Sequence, residues 1–439
     1  MDSRRASPAA SSPLRVLMPE PTLKVALVAL NRPGYQSLAL GYLRAFAEAD
    51  ERLRKRVGFQ TLDLTADADA WLVAYRILRL EPDVVGFSVS CWNARTIYEA
   101  CSILRKARPE IVIVLGGPEV GPQAENVLGD NPSVDLVVRG EGEATFTELL
   151  RALLGGKRTW MCPGVTGRNG DEIVSAPDRP LIEELDSIPS PYLSGVIMPS
   201  EALSYIETFR GCPHRCSYCY EAKGTSGIRS FSRERVQAEI EALATAPGVR
   251  TFSFVDSVFN LTSERLTWLA DALEPHARRG NRVHTVEVDI ERISDAEAAE
   301  LRRAGVVSVE TGPQTIGAEA LATSHRSFDA DRFVAGVEAL KRAGISVECD
   351  LIIGLPGDDA FDVIGGLRWL LDLDPGVIQS STLRVLPGTD LDARAEEIGL
   401  LFGAEPEHEV IQTRGISFAD IRRLEVMALA LQRGYAARL

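Results

Sequence analysis

The chain has 439 residues, of which 45% are apolar and 25% are charged, an ordinary globular composition that leaves room for two or three domains. Its formal net charge is −14 and it has no run of five or six Lys and Arg residues, which argues against a nucleic-acid partner. It contains no stretch of 18 apolar residues, so we expect no membrane-spanning helix and no membrane partner.

The N-terminus and the cysteine usage indicate the compartment. Residues 1–22 begin with a stretch rich in Ser, Ala and Pro that lacks an apolar core, which predicts a disordered leader and not a signal peptide. We therefore expect a cytoplasmic protein. The seven cysteines are odd in number, and three of them lie within eight residues. In a reducing compartment this pattern favours metal ligation over disulfide bonds.

The first predicted domain covers residues 23–158. Near-continuous apolar runs alternate there with amphipathic stretches, including those at 38–49 and 94–107. Such alternation predicts a buried parallel sheet with helices on both faces, a doubly wound, flavodoxin- or Rossmann-like α/β domain that ligands enter at the carboxyl ends of its strands. The predicted strands are residues 24–30, 58–64, 83–90, 111–116 and 134–138.

The alternation of strands and helices is interrupted between this domain and a second one. Residues 159–198 are predicted to be a linker with a hairpin at Asn169-Gly170, because Asn-Gly is a common hairpin turn. Strands and helices then alternate again over 199–400, which predicts a partial (β/α)6 barrel, and 401–439 is predicted to be a helical segment. The predicted barrel strands are residues 204–209, 250–255, 282–288, 306–311, 346–353 and 377–385.

Three cysteines follow the first predicted barrel strand. Cys212, Cys216 and Cys219 have the spacing Cys-x3-Cys-x2-Cys. Thiolates are the usual ligands of iron–sulfur clusters, and three of them leave the fourth iron of a cube open for a substrate group. A zinc site is the alternative, but tetrahedral zinc needs a fourth ligand, and His214 is awkwardly placed inside the loop.

This motif, with Tyr218 before its third cysteine, resembles the signature of the radical S-adenosylmethionine (SAM) superfamily. The resemblance implies a 4Fe–4S cluster, SAM bound to the open iron, a 5′-deoxyadenosyl radical and a flavodoxin- or ferredoxin-type electron donor. Residues 254–260, 310–314, 350–358 and 386–389 resemble, in order, strand-end elements of that superfamily. The SAM contacts that the resemblance implies are Tyr218, Asp256, Glu287, Glu310, Gln314 and Ile353.

Two arginines stay open in their role. Arg229 and Arg326 are candidates to pair with a carboxylate, and solvated surface positions are the alternative reading. The cysteines outside the motif have a simpler interpretation. Cys101 and Cys349 lie in apolar runs and are expected to be buried, and Cys162 is expected to be structural.

Glycines mark the strand ends of the first predicted domain, where they let backbone approach a bulky ligand. The missing G-x-G-x-x-G after the first strand argues against a dinucleotide. Placed before a radical SAM domain, these loops resemble cobalamin-binding domains, the alternative being a domain that binds nothing or binds a partner. The implied cobalamin contacts are Tyr35, Ser88, Ser90, Trp92, Gly116, Gly117, Pro118, Glu119, Val120, Gly140, Glu141 and Gly142. The first 200 residues hold no histidine, so a lower cobalt face free of histidine is expected.

Together, the two resemblances imply a cobalamin-dependent radical SAM enzyme. The expected reaction is methylation of an unactivated carbon of a small-molecule or peptide substrate, through the 5′-deoxyadenosyl radical and methylcobalamin. Two alternatives remain: a cobalamin-dependent cyclase or rearrangement enzyme without methyl transfer, and a non-catalytic sensor of SAM or cobalamin. A methylthiotransferase is disfavoured, because the additional N-terminal cysteines and the basic tail of those enzymes are missing here.

Overall fold

The computed structural model describes residues 22–156, 162–200, 204–221 and 227–437. Most of the predicted leader, residues 1–21, lies outside the described residues. Within the described ranges, no helix combines the length and the apolar character that crossing a membrane requires.

The first half of the chain forms a seven-stranded sheet with helices on both faces. The strand order is β2-β1-β3-β4-β5-β6-β7, in which the first five strands are parallel and the last two are antiparallel. The strands are β1 Leu23–Asn31, β2 Val57–Thr65, β3 Val84–Ser88, β4 Val112–Gly116, β5 Leu136–Val138, β6 Val165–Asn169 and β7 Glu172–Ser175. The helices are α1 Leu38–Ala49, α2 Ala70–Leu78, α3 Ala94–Ala107, α4 Ala124–Asp130 and α5 Gly142–Leu154.

Strand β1 shows why its sequence is apolar without interruption. Successive side chains of a strand point to opposite faces. Val25 and Leu27 belong to the core under α1 and α5, whereas Ala26 and Val28 belong to the core under α2 and α3. Since helices cover both faces, the six consecutive residues Val25–Leu30 are all buried, as expected for a parallel sheet.

The hairpin predicted within residues 159–198 is part of this sheet. Strand β6 pairs antiparallel with β5, and β6 and β7 are joined by the two-residue loop Gly170–Asp171. Gly170 has a φ of +66°, a conformation that glycine adopts without steric cost. The segment expected to be a linker thus contributes two strands to the edge of the N-terminal sheet.

The second half of the chain is an open barrel of six parallel strands in the order β8-β11-β12-β13-β14-β15. These strands are β8 Ser204–Ile206, β11 Thr251–Phe254, β12 Arg282–Glu287, β13 Val306–Gln314, β14 Ser346–Ile353 and β15 Val377–Thr382, and a separate antiparallel pair consists of β9 Phe209–Arg210 and β10 Arg229–Ser230. The helices are α6 Arg233–Thr245, α7 Ser263–Arg278, α8 Asp295–Arg303, α9 Ala318–Thr323, α10 Ala330–Arg342, α11 Ala360–Leu373, α12 Asp390–Ile398 and α13 Phe418–Ala436.

Several barrel helices begin at a polar residue that accepts a backbone hydrogen bond. Ser232 caps α6, Thr262 caps α7, and Ser294 forms a capping box with Glu297 at the start of α8. Each cap of this kind stabilises a helix by about 1 kcal/mol. The caps therefore fix where each helix starts after its strand, and with it the loops at the carboxyl ends of the strands.

The C-terminal segment, predicted to be helical, also contains an antiparallel hairpin. Its strands are β16 Leu401–Phe402 and β17 Val410–Gln412, and helix α13 follows. The prediction missed this hairpin because strands of two and three residues carry no recognisable alternation. Val410 lies against Gly354 at the end of β14, so the hairpin covers part of the barrel mouth.

Candidate functional site

A cavity of about 1230 Å³ lies where the two halves of the chain meet. It opens at the carboxyl ends of β3, β4 and β5, the edge at which doubly wound sheets bind ligands. Its volume exceeds the usual range for small-ligand pockets, so it has room for a bulky ligand. The N-terminal side contributes Ser88, Gly116, Gly117, Gly140, Glu141 and Gly142, and the barrel side contributes Glu207, Arg210, Gly211, Tyr220, Glu221 and Ser257.

Glycines shape the N-terminal wall of the cavity. Gly117 has a φ of +115°, and a Cβ atom there would lie 2.4 Å from the backbone oxygen of Val89. No side chain fits that position, so the backbone itself forms the surface. Deeper in the cavity, a Cβ atom on Gly86 would lie 3.1 Å from Leu27 and 3.7 Å from Phe146. These residues line an apolar slot into which part of a large ligand can extend.

The structure brings half of the predicted cobalamin contacts to this cavity. Ser88, Gly116, Gly117, Gly140, Glu141 and Gly142 line it, whereas Tyr35, Ser90, Trp92, Pro118, Glu119 and Val120 do not. Trp92 is half-exposed and lines a separate cavity of about 560 Å³. The ring centroids of Tyr35 and Tyr205 lie 5.4 Å apart.

Glu119 has a partner from the far end of the sequence. The Nε2 atom of His408 lies 2.8 Å from the Oε1 atom of Glu119, and both side chains are buried. Burial lowers the pKa of His408, but the hydrogen bond and the charge of Glu119 outweigh this effect, and the pKa is raised. The carboxylate of Glu119 thus anchors the C-terminal hairpin to the loop after β4.

The three motif cysteines lie on the loop between β9 and β10. Hydrogen bonds hold this loop to the barrel: Ser217 donates its backbone N–H to Ser324 O and its hydroxyl to Thr323 O. The backbone N–H of Leu391 donates to Ser217 O from the other side, over 2.8 Å. Since these bonds fix the middle of the loop, Cys216 and Cys219 on either side of Ser217 are held in place.

Arg326 places a positive charge at the cysteine loop. Its guanidinium donates to Cys216 Sγ at 3.3 Å, to the hydroxyl of Tyr218 at 3.4 Å and to Gly312 O at 3.0 Å. A cation here compensates the negative charge that thiolates carry when they bind a cluster. The donor set therefore fits an iron–sulfur cluster. The contacts of Arg326 described here go to a thiol, a hydroxyl and a carbonyl, so they support neither the surface reading nor the pairing with a carboxylate.

No three His, Cys, Asp or Glu side chains in the described ranges converge closely enough to hold a single metal ion. A 4Fe–4S cube does not require such convergence, because its thiolates bind different iron atoms. The fit of the loop to a cluster thus depends on its thiols and on Arg326.

Carboxyl groups from neighbouring strands meet at the barrel mouth. Glu287 lies opposite Glu310 in the register of β12 and β13, and Asp350 lies on the neighbouring strand β14. Burial first, and then the charge of Glu310, raise the pKa of Glu287 to about 7 and that of Asp350 to about 8. Strand β13 runs on past its predicted end to Gln314, whose Nε2 atom lies close to Gly312.

Two predicted SAM contacts have other surroundings. Asp256 is buried and accepts hydrogen bonds from the backbone and the hydroxyl of Thr208 and, at 2.8 Å, from Arg265. Ile353 is 1% exposed in the barrel core, and its carbonyl accepts from the backbone of Leu383. Both residues thus have partners within the protein, and their contacts with SAM stay predictions.

Comparisons with known proteins identify both halves of the chain. Residues 42–150 match the B12 binding domain, and residues 206–370 match the Radical SAM superfamily. The chain belongs to the cobalamin-binding radical SAM proteins. The cofactors of such a protein are a 4Fe–4S cluster, SAM and cobalamin. The two matched ranges contain the cavity glycines and the cysteine loop, respectively.

Named relatives in this family include methyltransferases. The cobalamin-dependent radical SAM methyltransferase TokK from Streptomyces tokunonensis is 30% identical over 86% of this chain and 55% of its own length. The 2-(S-pantetheinyl)-carbapenam-3-carboxylate methyltransferase from Streptantibioticus cattleyicolor is 33% identical over 50% of this chain and 34% of its own length. The chain thus spans about half or less of these two relatives.

A solved structure shares the fold. The radical SAM methyltransferase TsrM from Kitasatospora setae, with cobalamin and the cluster bound, superimposes with a TM-score of 0.69 at 22% identity. The match covers 87% of this chain and 76% of that chain. It extends over both domains, so the pairing of a cobalamin-binding domain with a partial radical SAM barrel is a fold already seen in this family.

Proposed function

We propose that this protein methylates an unactivated carbon of a small-molecule or peptide substrate, using cobalamin and radical SAM chemistry. The observation that carries the proposal is the shared wall of the cavity. Glycine loops of the B12 binding domain form one side, and Gly211, Tyr220 and Glu221 of the cysteine loop form the other. A corrinoid in this cavity would therefore lie beside the cysteine loop that would hold the cluster.

The residues of the chain would bind and orient the reactants. Cys212, Cys216 and Cys219 would hold the cluster, with Arg326 compensating thiolate charge. Around the place proposed for SAM, Tyr218 lies on the cysteine loop, and Glu287, Glu310 and Gln314 lie on two adjacent barrel strands. When bound, the cofactors supply one-electron cleavage of SAM and a carrier for the methyl group. A flavodoxin- or ferredoxin-type protein would supply the electron.

The names of the relatives suggest where the search for a substrate begins. One relative is named for methylation of a carbapenam carboxylate that carries a pantetheinyl thioether. We infer that this compound is the first candidate to test, with small peptides as the second class. The chain spans 34% of the length of that relative, so a substrate assay on this chain decides between the two classes.

The test separates the proposal from its alternatives by the nucleoside products. The full-length chain, with its cluster rebuilt, is incubated anaerobically with SAM, a reductant and hydroxocobalamin, first without substrate and then with the carbapenam. If the protein is a methyltransferase, both S-adenosylhomocysteine and 5′-deoxyadenosine should form. The formation of S-adenosylhomocysteine should depend on cobalamin. Cys212→Ala should abolish 5′-deoxyadenosine, and the matched control Cys162→Ala, a buried cysteine outside the motif, should leave both products.

The other outcomes have distinct readings. Formation of 5′-deoxyadenosine without S-adenosylhomocysteine would favour a cyclase or rearrangement enzyme. Failure to form either product would favour a sensor. Product formation that survives Cys212→Ala would contradict the assignment of the cysteine loop. With an accepted substrate, a deuterium-labelled methyl group from SAM should appear on a carbon of the product, as read by mass spectrometry and NMR.

A further inference from the structure

The two ends of the cysteine loop lie next to each other at the barrel. Strands β9 and β10 pair antiparallel, with Arg210 opposite Arg229 and Phe209 opposite Ser230. Arg210 therefore stands at the start of the loop, two residues before Cys212, and Arg229 stands at its end. Any group that binds both arginines fixes both ends of the segment that carries the cysteines.

Glu141 of the B12 binding domain is such a group. Its Oε1 atom accepts from Arg210 Nη1 at 3.0 Å and from Arg229 Nη2 at 2.8 Å, and its Oε2 atom accepts from Arg229 Nη1 at 3.1 Å. The backbone N–H of Ile182, in the segment between the domains, donates to the same Oε2 atom at 2.8 Å. One carboxylate thus joins the N-terminal domain, the connecting segment and both ends of the cysteine loop.

Arg210 makes further contacts across the same junction. It donates to Glu143 at 2.7 Å and to Glu207 at 3.2 Å, and its guanidinium lies 5.5 Å from the ring centroid of Tyr42 on α1. The side chains of Glu141, Glu143, Glu207, Arg210 and Arg229 are between 7% and 18% exposed. Because the network is shielded from water, removing one charge leaves its partners poorly compensated.

Glu141 lies at the cavity proposed for cobalamin, so the network connects that cavity to the cysteine loop. Gly140 and Gly142 on either side of it line the cavity, as do Arg210, Arg229 and Gly211. Glu141 precedes α5 as its N-cap residue, yet its side chain makes no hydrogen bond to that helix. Its carboxylate is held by the two arginines and by Ile182, and the contact of Glu141 with cobalamin stays a prediction.

We propose that Glu141 is a positioning residue that couples the cobalamin site to the cysteine loop. The inference rests on the cofactors in the proposed function. When the cluster orders the loop, Arg210 and Arg229 are held in place and fix Glu141 with its glycine neighbours. The glycine loop is then shaped for the corrinoid, and by thermodynamic reciprocity a bound corrinoid favours the ordered cysteine loop.

The experiment measures the affinity for cobalamin without turnover. Hydroxocobalamin is titrated, by absorbance and equilibrium dialysis, into the full-length chain with its cluster rebuilt and with its cluster removed, and iron content verifies each state. The wild-type dissociation constant should be about five-fold or more lower with the cluster than without it. In Glu141→Gln, which keeps the shape and loses the charge, the two constants should become equal.

A matched control makes the comparison specific. Glu110 pairs with Arg108 at 3.0 Å on the surface and does not line the cavity, so Glu110→Gln should keep the wild-type ratio. Equal constants in the wild type, or a wild-type ratio in Glu141→Gln, would overturn the proposal. If thermal melting shows that Glu141→Gln does not fold, Arg229→Lys replaces it. Arg229→Lys loses the bidentate contact with Glu141. If the ratio of its two dissociation constants stayed at the wild-type value, the proposal would be overturned as well.

The two proposals can fail separately. If the dissociation constant for cobalamin were the same with and without the cluster, the coupling role would be refuted, whereas the proposed methyl transfer would not be affected. A coupled but inactive protein, with neither nucleoside product formed, would remove the proposed reaction and leave the role of Glu141 standing.

Discussion

The pair formed by Asp256 and Arg265 offers the sharpest test of the structure, because sequence and structure assign Asp256 different roles. The side chain of Asp256 is 0% exposed and that of Arg265 is 10% exposed, and their charged atoms lie 2.8 Å apart. Burial raises the pKa of Asp256 and lowers that of Arg265, in each case against the attraction of the partner. Asp256→Asn keeps the shape and removes one of the two charges.

The size of the effect follows from this burial. Removing one member of a buried ion pair costs about 3–5 kcal/mol, because the other charge is left uncompensated. The side-chain NH2 group of the asparagine in Asp256→Asn would also face either the donor group of Arg265 or the backbone N–H of Thr208, so one hydrogen bond would be lost. In contrast, Asp271 pairs with Arg303 at 2.7 Å but is 65% exposed. Asp271→Asn, the matched control, should cost less than about 1 kcal/mol.

The assay is unfolding in urea, followed by tryptophan fluorescence. The ring of Trp268, one of five tryptophans in the chain, lies 5.6 Å from the guanidinium of Arg265 and contributes to this signal. SAM binding to the cluster-loaded chain is measured in parallel, under conditions where the variant is folded. We expect a large loss of stability and little change in the affinity for SAM. An unfolding free energy within about 1 kcal/mol of the wild type, together with weaker SAM binding, would refute the structural role.

Three further substitutions have expected outcomes. Gly117→Ala should lower the unfolding free energy by about 1–3 kcal/mol, since a Cβ atom would lie 2.4 Å from Val89 O; an unchanged urea midpoint would contradict this. Burial raises the pKa of Glu207 to about 7, so the wild type should lose stability relative to Glu207→Gln as pH rises from about 5 to about 8, and a constant difference would argue otherwise. The pKa of His408 is also raised, so the bond to Glu119 stabilises the fold at low pH. The advantage of the wild type over His408→Asn should therefore shrink as pH rises through that pKa, which unfolding at several pH values can check.

Much of the fold could be predicted from the sequence because buried parallel strands are apolar at nearly every position. The run 24–30 predicted β1, and the amphipathic stretches 38–49 and 94–107 coincide with α1 and α3. The hairpin near Gly170 was also predicted from its turn. Its pairing with β5 was not, because the sequence of a short antiparallel strand does not specify its neighbour.

The candidate site was predicted where chemistry is local in sequence. The cysteine spacing and the glycines at strand ends can be recognised without knowing what surrounds them. Asp256 could not be interpreted in this way, since a polar residue after a strand looks the same whether it faces a ligand or Arg265. Glu119 and Glu141 were predicted as ligand contacts for the same reason, and their partners lie far along the chain.

The bond between Glu119 and His408 has a consequence for how the protein is made. The two residues are 289 positions apart, and the N-terminal sheet is complete in sequence by Ser175. That sheet can form while the ribosome is still synthesising the barrel, yet the carboxylate of Glu119 lacks the imidazole until the C-terminal hairpin emerges. Synthesis that stops before His408 would yield a nascent B12 binding domain whose loop after β4 has lost one of its anchors. The loop after β4 therefore gains this anchor only after all six barrel strands have been synthesised.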